Sequence, residues 1–483
     1  MDSTKLTTWW AKGEIGRVPY ALIGILGFAF KHNLDRLVAS SVFHRPFGVF
    51  NYWVSPAEAL RITSLPRGDA EFLLTMVGVA LPFIAAGVVL TVLRLRSIGL
   101  PLWLAVLFFL PILNLVFFLI LTLLPSRETP AAPRIRAHGH LHHFLDRLIP
   151  DNSWGSAAVA AVISVPICAA VTYFATSVLH QYGWGLFVAL PFCLGLLSAL
   201  IYGYRAPRNL AGCLGVACAT TFFLGGALFL LAFEGVICLM MALPLALPIA
   251  ALGGALGYVI QRRPLNMQSA PAMMIGLLLF VPGFMGYERA AKIDAPIFAV
   301  RTSIDVNAPP EAVWKQVVTF AEIPPPTDVL FRLGIAYPVR ATIVGHGPGA
   351  VRHCEFTTGP FVEPITVWDE PRLLRFSVTD NPPPMQEWTL YKEIHPAHLN
   401  GFLVSRQGQF LLTPLPGGGT RLEGTTWYQH HLWPADYWQI WSDAIIHRIH
   451  LRVLRHIKGL AEQDAISQAK LGATIRQAEI DTK

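Results

Sequence analysis

The sequence predicts two parts of different fold class, a multispan bundle of membrane helices followed by an α+β domain. The chain has 483 residues, of which 53% are hydrophobic and 14% are charged, whereas about 25% of the residues in a typical soluble protein are charged. Eight apolar runs long enough to cross a bilayer fall before residue 287. After that point, short alternating segments replace the apolar runs, as is typical of a sheet.

The net positive charge belongs to the predicted membrane part. Residues 1–286 contain 18 Lys+Arg and 10 Asp+Glu, a net charge of +8, and residues 287–483 contain 19 and 20, a net charge of −1. Such an excess reflects the orientation of membrane loops. No basic stripe with base-stacking aromatic residues accompanies it, so we expect no nucleic-acid partner. Cys354 is the only cysteine of the second part, which excludes a disulfide framework there.

Two groups of spans are predicted, about three in residues 1–124 and about five in residues 156–286, joined by an Arg- and His-rich linker at 125–155. The first run carries Lys31 and Asp35, which are four residues apart and can pair on a helix. Pro111 and Asn114 interrupt the third run, which is either one kinked span or a re-entrant pair. The eight runs fall near residues 18–38, 72–93, 100–124, 156–179, 184–203, 210–230, 234–260 and 270–286.

Basic loops predict the orientation of these spans. The positive-inside rule places the arginine-bearing loops near 125–153, 204–209 and 261–264 in the cytoplasm. We therefore predict an integral protein of the plasma membrane whose second part is extracytoplasmic.

The N-terminal region resembles a group of small bacterial inner-membrane proteins of unknown function. The resemblance lies in Lys12–Tyr20 (KGEIGRVPY), Arg94–Leu100 (RLRSIGL) and the run Trp103–Leu124. That group carries a Gly-Arg entry motif and an Arg-Leu-x-x-x-Gly loop, with His-Asp where this chain has Arg96 and Ser97. The resemblance implies a location in the bacterial inner membrane and no activity.

Ionisable residues near the spans are candidates for chemistry. Lys31, Asp35 and Glu234 lie within or between apolar runs, where such residues are functional candidates; for Glu234 the alternative is an interfacial turn. Imidazoles spaced closely can bind a metal ion, but no acidic or cysteine ligand adjoins the histidine cluster of the linker, so we favour a solvated loop. This cluster consists of His138, His140, His142 and His143.

The second part begins with a strand at Val300–Val306 and two short helices, the first opened by Pro310 and the second at Val329–Leu333. One long amphipathic helix closes it, from Pro434 to about Gln463, and the polar tail 463–483 is assigned no role. Antiparallel strands separated by Gly- and Pro-rich turns lie between. They are predicted at Ala341–Val344, Val351–Thr357, Val362–Trp368, Leu373–Val378, Glu387–Lys392, Leu403–Leu412 and Arg421–Tyr428.

Residues from about 298 to 462 resemble the SRPBCC (START-like) superfamily, in its polyketide cyclase/dehydrase and lipid-transport branch. The resemblance implies a helix-grip fold, in which a curved sheet surrounds the long helix and leaves a cavity for a hydrophobic ligand; only some members are catalysts. The final helix contributes to the resemblance, and so do Ile304–Trp314 (IDVNAPPEAVW), Gly345–Val351 (GHGPGAV), Trp368–Leu373 (WDEPRL) and Gly418–Gly424 (GGTRLEG).

Large apolar residues are candidates for the cavity wall, because aromatic and aliphatic side chains suit a flat or elongated apolar ligand. Ordinary core packing explains each of them equally well. We expect His447 and His450, by contrast, on the exposed side of the long helix. The wall candidates are Trp438, Trp441, Ile445, Phe356 and Trp388.

His353, Glu355 and Glu363 are the candidate catalytic residues. His353 and Glu355 share one face of a strand, and Glu363 on the next strand reaches either that face or the opposite one. A His–carboxylate pair in an apolar cavity can act as general base in an enolisation or aldol cyclisation. The alternative is a solvent-facing ladder of ion pairs with Arg352 or Arg375.

The leading hypothesis is a membrane-anchored protein that binds a lipid, isoprenoid or polyketide-like molecule for transfer, presentation or sensing. The bilayer and this ligand are the expected partners, and the sequence names no protein partner. Because no nucleophile elbow, phosphate loop or spaced metal-ligand motif occurs, we expect binding rather than catalysis and no cofactor. Two alternatives stay open: a cyclase or dehydratase that uses the His–carboxylate pair, and a transporter or sensor whose spans work under regulation by the second part.

Overall fold

The computed structural model describes residues 13–52, 67–110, 112–126, 145–262, 270–391, 394 and 396–481. They divide into two units. The first unit contains the described residues up to Leu231 and Ala242–Ile293, and the second contains Ala232–Met241 and the described residues from Asp294 onward. The first residues of the helix Val236–Gln261 thus belong to the second unit.

Among the described residues before 292, six helices are long and apolar enough to cross a membrane. They correspond to six of the eight apolar runs that the sequence predicts as spans. These helices are Arg67–Ile98, Ser153–Val178, Gly185–Tyr202, Leu210–Leu230, Val236–Gln261 and Pro271–Ala291.

The first predicted run forms the helix Arg17–Val42, which is not among these six. Asp35 in this helix is fully buried and pairs with Lys31 one turn earlier. It also accepts a hydrogen bond of 2.6 Å from the hydroxyl of Tyr52. A buried carboxylate needs such partners, because an isolated charge in an apolar environment is costly.

The third predicted run is broken at Ile112, whose φ of 65° interrupts a right-handed helix. Arg94, which is fully buried, satisfies the end of the second piece by donating to the carbonyl oxygens of Leu121, at 2.9 Å, and Leu124. The last carbonyls of a helix have no partner within it, so this arginine of the RLRSIGL segment has a structural role. The two pieces are Leu102–Phe109 and Leu113–Leu123.

The second unit is a seven-stranded antiparallel sheet packed on a long helix. The strands are β1 (Ile297–Val306), β2 (Pro338–Val344), β3 (Val351–Phe356), β4 (Gly359–Asp369), β5 (Leu373–Ser377), β6 (Leu403–Pro414) and β7 (Thr420–His430). Their order in the sheet is β1-β7-β6-β5-β4-β3-β2. The short helices Pro310–Val318 and Val329–Arg332 follow β1, and the C-terminal helix Ala435–Asp481 follows β7. This is the predicted helix-grip arrangement.

Alternate strand residues and one stripe of each helix form the core of this unit. Val313 and Val317 of the first short helix are fully buried, as are Leu454 and Ile457 of the C-terminal helix. They pack with strand residues such as Leu374. Burial of each such side chain contributes about 1.5–3 kcal/mol, so these residues stabilise the packing of both helices on the sheet.

The predicted strand at 387–392 is an irregular loop over its described residues. The Trp388 carbonyl and the Glu387 carboxylate of this loop form hydrogen bonds with the segment Ala232–Met241 rather than with a strand. The Val236 N–H donates to the Trp388 carbonyl at 3.1 Å, and the Glu387 carboxylate accepts from the N–H groups of Ile237 and Cys238, each at 3.0 Å. Alternation of apolar and polar residues predicted a strand here, but tertiary hydrogen bonds override that local preference.

The C-terminal helix is longer than predicted and continues through the polar tail to Asp481. The tail contains no proline and is rich in Ala, Gln and other good helix formers. Helical propensity therefore extends the element beyond the residues whose apolar periodicity predicted it.

Candidate functional site

A cavity of about 140 Å³ lies between the sheet and the C-terminal helix. Apolar side chains from β3 to β7 and from the helix form most of its wall. A concave apolar site with a few polar groups is the usual form of a small-molecule site. The polar residues of the wall are Arg352, Glu363, Asn381, Ser405, Gln407, Gln409, Thr425, Thr426 and His450.

A buried ion pair contributes to this wall. The antiparallel pairing of β3 with β4 places Arg352 directly opposite Glu363. Arg352 is 2% exposed and Glu363 is 6% exposed. Nη1 of Arg352 donates a hydrogen bond to Oε2 of Glu363. Burial raises the pKa of the Glu363 carboxyl, and the positive charge of Arg352 opposes that shift.

Three aromatic rings surround the Arg352 guanidinium. Its central carbon lies 5.5 Å from the ring centroid of Phe320 and 5.6 Å from those of Phe376 and Phe410, within range of a cation–π interaction. Among the described residues, Arg352 Nε has no hydrogen-bond partner. A buried donor left without an acceptor costs about 1–3 kcal/mol. Arg352, which lines the cavity, therefore contains a buried N–H group whose hydrogen bond is unused.

His450 is the histidine of the cavity wall, although the sequence predicts it on the exposed side of the helix. Its Nε2 lies 2.8 Å from Thr426 Oγ1 and its Nδ1 lies 3.1 Å from Thr302 Oγ1. Burial lowers the pKa of His450 to about 4. The imidazole is therefore neutral at pH 7 and bridges two strands. His447, by contrast, is exposed as expected.

The structure separates the three candidate catalytic residues. Side chains alternate along β3, so His353 and Glu355 lie on the face opposite to that of Arg352. Glu355 pairs there with Arg340 at 2.6 Å, whereas Glu363 lines the cavity with Arg352. The register therefore does not bring His353 and Glu363 together as an acid–base pair, and it gives one exposed and one buried ion pair instead of a solvent-facing ladder.

Two of the five candidates for the cavity wall line the cavity, namely Phe356 and Ile445. The other three are described residues outside its lining. Trp438 is buried beside Tyr437, with ring centroids 5.3 Å apart, and Trp388 is half exposed in the loop before β6. Trp441, one position from Ser442 on the C-terminal helix, is only partly buried.

Glu234 lies in the turn between the helices Leu210–Leu230 and Val236–Gln261. It is 4% exposed, and its Oε2 lies 3.1 Å from Nδ1 of His398. Burial lowers the pKa of His398, but Cys238 and the carboxylates of Glu234 and Glu387 together raise it well above its ordinary value. The histidine cluster of the linker lies outside the described residues.

Two residues of the cavity wall escaped sequence reasoning for different reasons. His450 lies four residues after Ile446 and three before Val453, both buried, so helical spacing could have placed it on the apolar stripe. Arg352 was considered only as a partner in an ion pair. Its place in the cavity depends on the face of β3 that is buried, which alternation within one strand does not determine.

Residues 298–429 match the family model described as polyketide cyclase / dehydrase and lipid transport. A comparison with curated proteins found no match.

Solved structures that are similar to this chain cover about a third of it. A point mutant of norcoclaurine synthase from Thalictrum flavum is 12% identical, and the alignment covers 36% of this chain and 99% of that chain with a TM-score of 0.25. The Zhui aromatase/cyclase from Streptomyces sp. R1128 is 16% identical, with 35% and 95% covered and a TM-score of 0.23. A protein from Chromobacterium violaceum is 15% identical, with 34% and 96% covered and a TM-score of 0.22.

The C-terminal part of the chain thus combines a match to this family model over residues 298–429 with a seven-stranded antiparallel sheet on a long helix, and it follows a part with apolar helices long enough to span a membrane.

Proposed function

We propose that the C-terminal domain binds a small hydrophobic molecule that carries an oxygen acceptor, and that Arg352 anchors this oxygen inside the cavity. The observation that carries the proposal is the buried Nε–H of Arg352, which makes no hydrogen bond among the described residues. A carbonyl, phenolic or carboxylate oxygen would complete its hydrogen bonding. The aromatic rings around the guanidinium would contact the apolar body of the ligand.

The volume of the cavity limits the size of this ligand. The cavity measures about 140 Å³, and an apolar protein cavity of about 150 Å³ holds benzene. A complete phospholipid does not fit such a space. We therefore favour a ligand the size of one aromatic ring or a short isoprenoid unit, or one such portion of a longer molecule.

Fusion to apolar helices favours a role at the membrane. Six helices long enough to cross a bilayer precede the domain in the same chain, and a covalent tether raises the local concentration of the domain at its target. We propose that the domain takes up or presents a membrane-soluble molecule, for transfer or for sensing.

Native mass spectrometry of the full-length protein, released from detergent micelles, tests ligand binding. The matched variants are Gly424→Ile and Thr366→Ile. Gly424 lines the cavity, and an added Cβ there would meet only ordinary contacts, the nearest 3.7 Å away at Leu454. The further carbons of isoleucine would occupy the cavity, whereas Thr366 is exposed on β4. We expect a small-molecule adduct in the parent and in Thr366→Ile that is lost in Gly424→Ile.

Thermal unfolding of each variant shows whether Gly424→Ile is still folded. An adduct that persists in folded Gly424→Ile would contradict binding in this cavity. A folded parent protein that carries no adduct, even after exchange with membrane extract, would also contradict the proposal.

The location of His450 favours acid–base catalysis as a second candidate function. Its imidazole and the Glu363 carboxyl line the same cavity, so a His–carboxylate combination exists there without His353. His450→Gln keeps a side chain that can bond to both threonines but cannot exchange protons. If the domain is a dehydratase, the molecule extracted from His450→Gln should be heavier than that from the parent by the water that the reaction removes. If it is a cyclase, the molecule from His450→Gln should have an uncyclised skeleton. The same molecule in both would exclude this role.

A further inference from the structure

A cluster of metal-ligating side chains lies in the second unit, away from the cavity. It consists of Glu234, Cys238 and His398, and one ligand atom from each lies within 4.8 Å of the others. All three residues are less than 9% exposed. None of them lines the cavity described above, so the cluster is independent of the proposed ligand site.

Local structure explains how these residues meet. Glu234 lies just before the helix Val236–Gln261, and Cys238 lies in the first turn of that helix, so the two residues are close along the chain. His398 belongs to the short 3₁₀ helix Ala397–Leu399 in the loop between β5 and β6. The cluster thus joins the segment Ala232–Met241 to a loop of the helix-grip domain.

Glu387 lies on the other side of the histidine, within ion-pair distance. Nδ1 of His398 lies 3.1 Å from Oε2 of Glu234, and Nε2 lies 3.6 Å from Oε1 of Glu387. Both oxygens of Glu387 also accept hydrogen bonds from the backbone of the helix start, at Ile237 and Cys238. A carboxylate that holds the second nitrogen of a metal-binding histidine is the usual outer-shell arrangement of zinc sites.

The donor set of the cluster determines the class of ion. Thiolate sulfur, imidazole nitrogen and carboxylate oxygen are the three ligand types that Zn²⁺ takes in proteins. Mg²⁺ and Ca²⁺ prefer sites built wholly from oxygen. The buried carboxylates of Glu234 and Glu387 would in turn balance the charge of a divalent cation.

We infer that Glu234, Cys238 and His398 form a binding site for a divalent transition-metal ion of the Zn²⁺ class, with Glu387 as the residue that orients His398. Three protein ligands leave a fourth position of a tetrahedral ion for water or another group. Binding of the ion would fasten the loop between β5 and β6 to Ala232–Met241.

Zinc titration of the untagged full-length protein in detergent tests this site. The protein is first stripped with a chelator and desalted, and Zn²⁺ is then added in competition with a chromophoric chelator. We expect one tightly bound Zn²⁺ per chain. Glu387→Gln should weaken the affinity roughly 10- to 100-fold, as loss of an outer-shell partner does, and Cys238→Ser should weaken it further.

Two controls separate this site from other zinc ligands in the chain. Cys218→Ser removes a different cysteine, which lies in the helix Leu210–Leu230, and should bind Zn²⁺ like the parent. Replacement of the histidine cluster of the linker, His138, His140, His142 and His143, by asparagine should likewise leave the tight site intact.

Cobalt spectroscopy tests the site in the parent protein, so the result does not depend on whether a variant folds. Co²⁺ bound by Cys238 in the parent protein should show thiolate-to-cobalt charge-transfer absorption, which Zn²⁺ then displaces. The inference is overturned if the parent binds no Zn²⁺ in competition, if bound Co²⁺ lacks the thiolate band, or if Cys238→Ser retains the parent affinity. Parent affinity in Cys238→Ser would show that the ion is bound elsewhere. A parent that binds no Zn²⁺ would show that the cluster is only a hydrogen-bonded network.

Discussion

The ion pair of Arg352 and Glu363 shows how burial changes the contribution of an ion pair to stability. The same strand carries an exposed pair, Glu355 with Arg340, whose side chains are 35% and 54% exposed. Water screens the exposed pair, and such pairs contribute about 0–1 kcal/mol. Removal of one partner from a buried pair leaves an uncompensated charge and costs about 3–5 kcal/mol.

Arg352→Met should therefore lower the melting temperature of the C-terminal domain in the full-length protein by roughly 10 °C, by the usual relation between free energy and melting temperature. Arg340→Met, the matched control, should shift it by no more than roughly 3 °C. The double variant Arg352→Met with Glu363→Leu should recover much of the loss, because no charge remains buried. Tryptophan fluorescence during heating measures these shifts. Equal effects of the two single variants would contradict the role of burial.

The lowered pKa of His450 predicts how the stability of the C-terminal domain depends on pH. Its pKa in the folded domain is about 4, below the ordinary value of about 6.5, so the unfolded chain takes up a proton first as the pH falls. Stability is then unaffected above about pH 7 and is lost as the pH falls from about 6.5 toward 4, by up to about 1.4 kcal/mol per pH unit.

Melting temperatures of the parent and of His450→Gln between pH 7.5 and 5 test this dependence. Both proteins contain His430, whose pKa is also lowered to about 4. The parent should lose more stability than the variant across this range, because only the parent contains His450. Identical pH profiles would show that His450 is not held neutral by the fold.

Close helix packing in the membrane part depends on two glycines. An added Cβ at Gly195 would lie 1.9 Å from the backbone oxygen of Ala250, and one at Gly253 would lie 2.1 Å from that of Phe192. Small residues allow membrane helices to approach each other in this way. The backbones of the helices Leu190–Tyr202 and Val236–Gln261 are therefore in direct contact.

Gly195→Ala should reduce the fraction of full-length protein that stays monodisperse on size exclusion after heating, because the helices must separate. Gly215→Ala is the matched control, since an added Cβ there meets nothing within 4 Å and alanine favours the helix by about 1 kcal/mol. An equal loss in both variants would mean that helix approach at Gly195 is not required.

At the scale of elements, the sequence predicted most of the second part, because each strand alternates and each turn carries Gly or Pro. It failed where tertiary contacts decide, as in the loop at 387–392, whose backbone pairs with Ala232–Met241. It also left open which face of β3 is buried, and so the choice between His353 and Arg352. That choice depends on pairing with β4 and on the helix beneath, which no single strand encodes.

The cluster of Glu234, Cys238 and His398 could not have been predicted for a related reason. His398 lies more than 150 residues after Glu234 in the sequence, and no spacing rule relates residues so far apart. The sequence indicates only that Glu234 lies between apolar runs, and the fold determines its neighbours.

At the scale of the whole molecule, apolar helices and a cavity domain occur in one chain. The membrane part has six helices that are long enough to span, and the second unit has a cavity whose wall is apolar except for a few polar groups. The proposed function relates the two parts through a membrane-soluble ligand: the apolar helices hold the chain at the membrane, and the cavity binds the ligand.

The most direct test is an experimental structure of the full-length protein at a resolution that shows ordered water. The proposed function predicts density for a small molecule in the cavity, with an oxygen atom within hydrogen-bond distance of Arg352 Nε and a body against Phe376 and Phe410. A cavity that holds only water bonded to Arg352 Nε, or that is closed by side chains, would contradict it.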